Sequence, residues 1–317
     1  MWRAWLVLFS VCIVMGQTPG FTGPEACREC HRAEYDKQSG SHHAKALHRI
    51  AESPIAGVVA GIPEGGARES LEWAFGAGVQ GITPVGVRDG RYFESRYSYY
   101  SQAKAWGVTF GHPARATSAL GIFQDSGTIS RCFSCHATGV QRSPAGPDLS
   151  VMREGVTCER CHGPGAAHVK AAKAGSSSEV LRRTLVNPGR FPARAQVEMC
   201  GECHRLPSAD AVVPEPEIED PVSVRMAPIG LMASRCFQES KGLSCLTCHD
   251  PHENARVRSD PAYTARCLTC HSETARTKSH CARPAERDCV GCHMPAAKLG
   301  QYLQFTDHRI RVVQRNR

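Results

Sequence analysis

Cys245-Leu246-Thr247-Cys248-His249, Cys267-Leu268-Thr269-Cys270-His271 and Cys289-Val290-Gly291-Cys292-His293 follow one another at intervals of 22 residues in a chain of 317. Each is Cys-x-x-Cys-His. Four further copies precede them: Cys27-Cys30-His31, Cys132-Cys135-His136, Cys158-Cys161-His162 and Cys200-Cys203-His204. The seven copies use fourteen of the seventeen cysteines, and no Cys-x-x-Cys in the chain lacks the histidine. Residues at i, i+3 and i+4 share one face of a helical turn. Two thiols so placed reach the two vinyl groups of one porphyrin, and the histidine reaches its iron. Structural zinc is built from paired Cys-x-x-Cys knuckles that do not require the histidine, and a disulfide framework has no use for it. With 15 histidines in the chain, seven such followers would arise by accident roughly once in a billion. The spacing predicts seven covalently bound haems c, with His31, His136, His162, His204, His249, His271 and His293 as proximal iron ligands.

Seven haems leave about 43 residues of exported chain per porphyrin, so the porphyrins themselves become the core. The predicted fold class is mainly α with little regular secondary structure: short motif-bearing helices joined by loops around a haem core. Only 7% of residues are aromatic, in keeping with an interior not filled mainly by aromatic side chains. The stretch between the first two motifs is poor in haem. Within it, residues 82–87 and 91–100 flank Arg88-Asp89-Gly90 and read as a β-hairpin. Gly76-Ala77-Gly78-Val79-Gln80-Gly81 matches a dinucleotide fingerprint in letters. It lacks the following helix that such a site needs, so it reads as a loop.

Residues 1–16 have Arg3 ahead of an apolar run broken only by Ser10. That is a signal-peptide pattern, too short to span a bilayer comfortably. The expected division is a signal at 1–16, an N-terminal segment at 17–130 with the first haem and the hairpin, and a six-haem cytochrome region at 131–317. The expected location is periplasmic or extracellular, with no integral membrane segment after signal cleavage. Cys236 and Cys281 belong to no motif and are expected to pair, because an exported chain meets oxidising conditions.

Each proximal histidine leaves the opposite axial position to be filled. Eight histidines lie outside the motifs: His42, His43, His48, His112, His168, His252, His280 and His308. Eight candidates for seven positions permit nearly complete bis-histidine ligation. The formal charge of +8 is offset by about fourteen propionate charges, so the lysines and arginines read as propionate partners and not as a nucleic-acid surface. The acidic, proline-rich run 214–221 reads as a solvated loop, with docking of a basic redox partner as the alternative.

Gly23-Pro24-Glu25-Ala26-Cys27 through Ser41-His42-His43-Ala44-Lys45-Ala46 resembles the opening of cytochromes c of the five-five-four type. Glu154-Gly155-Val156-Thr157-Cys158 through Cys161-His162-Gly163-Pro164-Gly165-Ala166-Ala167-His168 is similar to the same family's segment of haem plus distal histidine. Cys248-His249-Asp250-Pro251-His252, Cys292-His293-Met294-Pro295 and Thr306-Asp307-His308-Arg309-Ile310 resemble segments of pentahaem nitrite reductases and octahaem hydroxylamine oxidoreductases. The resemblance implies distal-ligand roles for His43, His168, His252 and His308, and more weakly for His112. His48 and His280 are candidates by count alone, and His42 is the spare. The nitrite reductases attach their catalytic haem through a motif ending in lysine, and this chain has none. The expected function is therefore a heptahaem carrier relaying electrons between redox proteins, with no assigned catalytic residue. The alternatives are a reductase or oxidase of a small nitrogen or sulfur compound at one open haem, and a subunit of an extracellular filament assembled through haem contacts.

Overall fold

The computed structural model describes residues 20–63, 68–115, 118–206, 221–272, 281 and 288–313. The expected signal at 1–16, His280 and nearly all of the acidic run 214–221 lie outside the described residues.

Helix α1 (Pro24–Arg28) opens on a proline, whose fixed φ suits a first helical turn. Helix α2 (Arg32–Ser39) follows directly. The haem-poor stretch then builds a sheet larger than the expected hairpin. Strands β1 (Leu47–Arg49), β2 (Leu71–Phe75), β3 (Thr83–Arg88), β4 (Arg91–Ser95) and β7 (Gly121–Phe123) form one five-stranded sheet with every neighbouring pair antiparallel. The β3–β4 hairpin turns at Asp89 and Gly90, both at positive φ (52° and 72°), as a two-residue hairpin turn requires. The second expected strand breaks at Arg96. This residue is buried, and its guanidinium donates to the Pro113 and Ala114 carbonyls. Beyond it, β5 (Tyr97–Tyr100) pairs with β6 (Ala105–Val108) in a second, two-stranded sheet. The run 76–81 joins β2 to β3, so strands flank it on both sides and it is a loop.

One face of the five-stranded sheet packs on helix α3 (Ser126–His136). Leu47, Trp73, Phe75 and Val85 meet Ile129 and Phe133, and the Trp73 and Phe75 rings meet Phe133 edge-on at 5.3 and 5.1 Å. Asp125 caps α3 by accepting from the Thr128 amide. This core is rich in aromatic side chains. Position 130/131, the expected segment boundary, falls inside α3, so the second motif and the sheet share one hydrophobic cluster.

After α3 the elements are short. Helices α4 (Cys158–His162), α5 (Ala166–Lys173), α6 (Ser178–Arg183) and α7 (Ala193–His204) are followed by helices at Ala227–Met232, Arg235–Glu239, Cys245–Cys248, Pro261–His271 and Cys289–His293, and by a hairpin of Ala296–Leu299 with Leu303–Thr306. Helices α5 and α6, and those at Arg235–Glu239, Cys245–Cys248 and Pro261–His271, bury none of their own residues. No described helix is long and apolar enough to cross a membrane.

Candidate haem-binding centres

The second, third, fourth, sixth and seventh motifs lie wholly within the helices ending at His136, His162, His204, His271 and His293. In the first motif the chain turns between Cys27 in α1 and His31, which caps α2. In the fifth, His249 caps the helix that holds Cys245 and Cys248. A turn of helix therefore presents both thiols in every motif but the first, as the i, i+3 spacing requires.

Among the described residues, four motif histidines are seen to face a second imidazole. His31 faces His168 with ring centres 6.5 Å apart, and His43 faces His204 at 5.9 Å. His162 faces His252 at 6.2 Å with the rings nearly parallel, and His249 faces His308 at 6.4 Å. A metal–imidazole bond of about 2.0–2.1 Å on each side, with each ring centre about 1 Å further out, places two ligands of one metal roughly 6 Å apart. The four spacings fit an iron between each pair.

The far nitrogens fit the same reading. Backbone carbonyls accept from Nδ1 of His136 (Ala46, 2.9 Å), His162 (Val186, 2.8 Å), His168 (Leu181, 3.2 Å), His293 (Arg311, 2.9 Å) and His308 (Thr306, 2.9 Å). His252 Nδ1 meets the Asp250 carboxylate at 3.0 Å. A carbonyl can only accept, so each such contact fixes the proton on Nδ1 and leaves the Nε2 lone pair for a metal, the usual arrangement around ligating histidines. Burial, followed by the neighbouring His43, His308, His136 and His249, pushes the His204 pKa down to about 4. Burial likewise lowers His136, His249 and His308. Each shift favours the neutral ring, the form in which histidine ligates a metal.

Two loops and one carboxylate position the facing imidazoles. Gly155 sits at positive φ (75°) against the Ala44 carbonyl, where a Cβ would collide. Only glycine allows the strand before the third motif to lie along the turn carrying His43, where the Val156 amide donates to the His43 carbonyl at 2.8 Å. Glu159, inside the third motif and 3% exposed, accepts from the amides of Thr22 (2.9 Å), Gly23 (2.8 Å) and Gly165 (2.7 Å). The first two precede α1 and the third caps α5, so one buried carboxylate ties the approach to His31 to the helix bearing His168.

The motif cysteines also meet across the fold. Cys27 lies close to Cys158, Cys135 to Cys203, Cys200 to Cys245, and Cys267 to Cys289, near enough for each pair of thiols to perturb one another. The Cys161 thiol lies within the electrostatic reach of Cys200 and Cys203, and Cys248 within that of Cys267. Motif one thus adjoins three; three adjoins four; four adjoins two and five; five adjoins six; six adjoins seven.

The other candidate ligands lie elsewhere. His48 is in β1, paired with Ala74, and its buried Nε2 has no hydrogen-bond partner. His112 is buried with Nε2 3.4 Å from Glu94 and an unpartnered Nδ1. His42, whose backbone amide donates to Asn254, is next to the ligand-facing His43. Among the described residues no second histidine faces the His136 ring, which meets Phe75 edge-on at 5.2 Å. The expected bridge between Cys236 and Cys281 does not form: Cys236 is a half-buried thiol in the helix Arg235–Glu239, within the electrostatic reach of Cys270. Sequence reasoning missed Glu159 and the backbone carbonyls that hold the imidazoles. A charged residue inside a Cys-x-x-Cys-His motif was the one available signal.

The family model for cytochrome c554 and c-prime matches residues 26–59 and 94–163, which hold the first three motifs and the His43 turn. No curated protein matches the chain. Among solved structures, the outer cell wall cytochrome OcwA superposes with a TM-score of 0.59 at 18% identity, over 92% of this chain and 80% of that one. The motifs, the facing imidazoles and this superposition together give the chain the fold of a multihaem c-type cytochrome.

Proposed function

We propose that the protein is an exported seven-haem cytochrome c that relays electrons between other redox proteins. The observation that carries this reading is the set of four facing imidazole pairs on motifs whose cysteines adjoin one another. Haem bound there supplies a reversible one-electron iron centre. The fourteen motif cysteines hold the porphyrins, and the seven motif histidines hold the irons from one side. His168, His43, His252 and His308 close the other side at the first, fourth, third and fifth sites. An iron with imidazole on both faces has no position for substrate and takes a low potential, because histidine withholds the upward shift that methionine gives. The order one, three, four, five, six, seven forms a line, with the second site branching from the fourth. The apolar run within 1–16 supports export, and the superposed structure is that of an outer cell wall cytochrome. The donor and acceptor are then proteins of that compartment.

The His136 site favours a second reading. It has no facing histidine among the described residues. Glu94, which accepts from Gln124 at 3.2 Å and meets His112, lies within the electrostatic reach of Cys132. An open iron there would suit reduction or oxidation of a small nitrogen or sulfur compound. Electron paramagnetic resonance of the oxidised protein, with carbon monoxide and nitrite titrations of the reduced protein, separates the two readings. The relay predicts mainly low-spin irons, at most one high-spin, with ligand binding to only a small fraction of the haem. Rapid binding of one full equivalent, with turnover of nitrite or hydroxylamine, would replace the relay by the enzyme.

A further inference from the structure

Arg160 is the second residue between the cysteines of the third motif, and its side chain reaches both neighbouring motifs. Its Nε donates to the Ser134 carbonyl, inside the second motif, at 3.2 Å. Its Nη2 donates to Cys203 Sγ of the fourth motif at 3.6 Å and to the Glu202 carboxylate at 3.2 Å. One guanidinium therefore binds the second and fourth motifs from within the third, at the place where the side branch leaves the line. We propose that Arg160 is a positioning and tuning residue that holds a fixed positive charge at this junction and raises the reduction potentials of the iron sites around it. The proposal rests on the relay reading and adds a control point to it.

The sign follows from electrostatics. Reduction adds one negative charge at the iron, and a nearby cation stabilises the reduced form. Arginine cannot lose its proton in the working pH range, so the charge is permanent. Glu202 does not cancel it. The Glu202 side chain is 56% exposed and that of Arg160 27%, so solvent screens the carboxylate more strongly. A raised potential at the junction favours residence of electrons there, where they can pass along the line or into the branch.

The test uses the purified holoprotein and three variants, Arg160→Gln, Arg160→Lys and Glu202→Gln, in spectroelectrochemical titrations with haem-to-protein ratios measured on the same samples. Arg160→Gln should move a subset of midpoint potentials downward. Glu202→Gln should move the same subset upward by less, and Arg160→Lys should stay near the parent protein. Opposite shifts from the two neutralising variants cannot come from a loosened fold. Superimposable titrations for Arg160→Gln and the parent would overturn the proposal. So would downward shifts of similar size in all three variants, which would mark Arg160 as a packing residue only. The haem ratio of the parent tests the relay reading separately: a shortfall there overturns the relay and leaves the charge effect to be read on the sites that remain.

Discussion

The five-stranded sheet and the motif-bearing run from Cys245 to His293 are both built of short elements, yet they bury different things. In the sheet, Leu47, Trp73 and Phe93 are at most 1% exposed, and helix α3 closes over Leu47 and Trp73. Along the later run, the helices Cys245–Cys248 and Pro261–His271 bury none of their residues, while Val257 and Leu268 are 74% and 39% exposed. Side chains alone can hold the first region, because apolar area removed from water scales with such burial. The second has little to bury except what its cysteines bind. The difference explains how a chain rich in Cys-x-x-Cys-His motifs still carries a conventional core: the sheet anchors the second motif, and the helices Cys245–Cys248 and Pro261–His271 bury no residues of their own.

The largest effect that could break this comparison is loss of haem. In chain produced without haem attachment, amides of β2, β3 and β4 should retain hydrogen-exchange protection, and those of Pro261–His271 should exchange close to the unstructured rate. Equal protection in both regions would remove the contrast. A smaller effect comes from the apolar core itself. Trp73→Ala should destabilise the sheet by about 3–5 kcal/mol in denaturant titration, because it opens a cavity against Phe133. Leu268→Ala should change stability by less than about 0.5 kcal/mol. Between them lies the polar clamp. Glu159→Gln keeps the size but turns a donor toward the amides that the carboxylate accepted from, at a cost of about 1–3 kcal/mol. Its signature is loss of the low-spin signal of one haem of the seven, at unchanged haem content.

What could be read before the fold was known follows the same division. The seven motifs were legible because the i, i+3, i+4 pattern is local and complete in five residues. The Asp89-Gly90 turn was legible for the same reason. The wider sheet was not: β1 and β7 are three residues each, and Leu71 to Phe75 does not alternate. The resemblance to the five-five-four type and the nitrite-reductase group pointed to His43, His168, His252 and His308, and each of these lies opposite a motif histidine. Which one faces which was hidden, since His43 and His204 are brought together from opposite halves of the chain. His112, which the resemblance matched more weakly through its Gly-His-Pro setting, lies with Nε2 3.4 Å from Glu94. The expected Cys236–Cys281 bridge failed because sequence carries no separation between the two residues.

The central claim, that the cysteine motifs each hold a porphyrin, is tested most directly by the intact mass of the denatured, fully matured protein. The account predicts the polypeptide mass after signal removal plus seven haems, with every Cys-x-x-Cys-His peptide carrying one. A mass corresponding to five haems or fewer would contradict it.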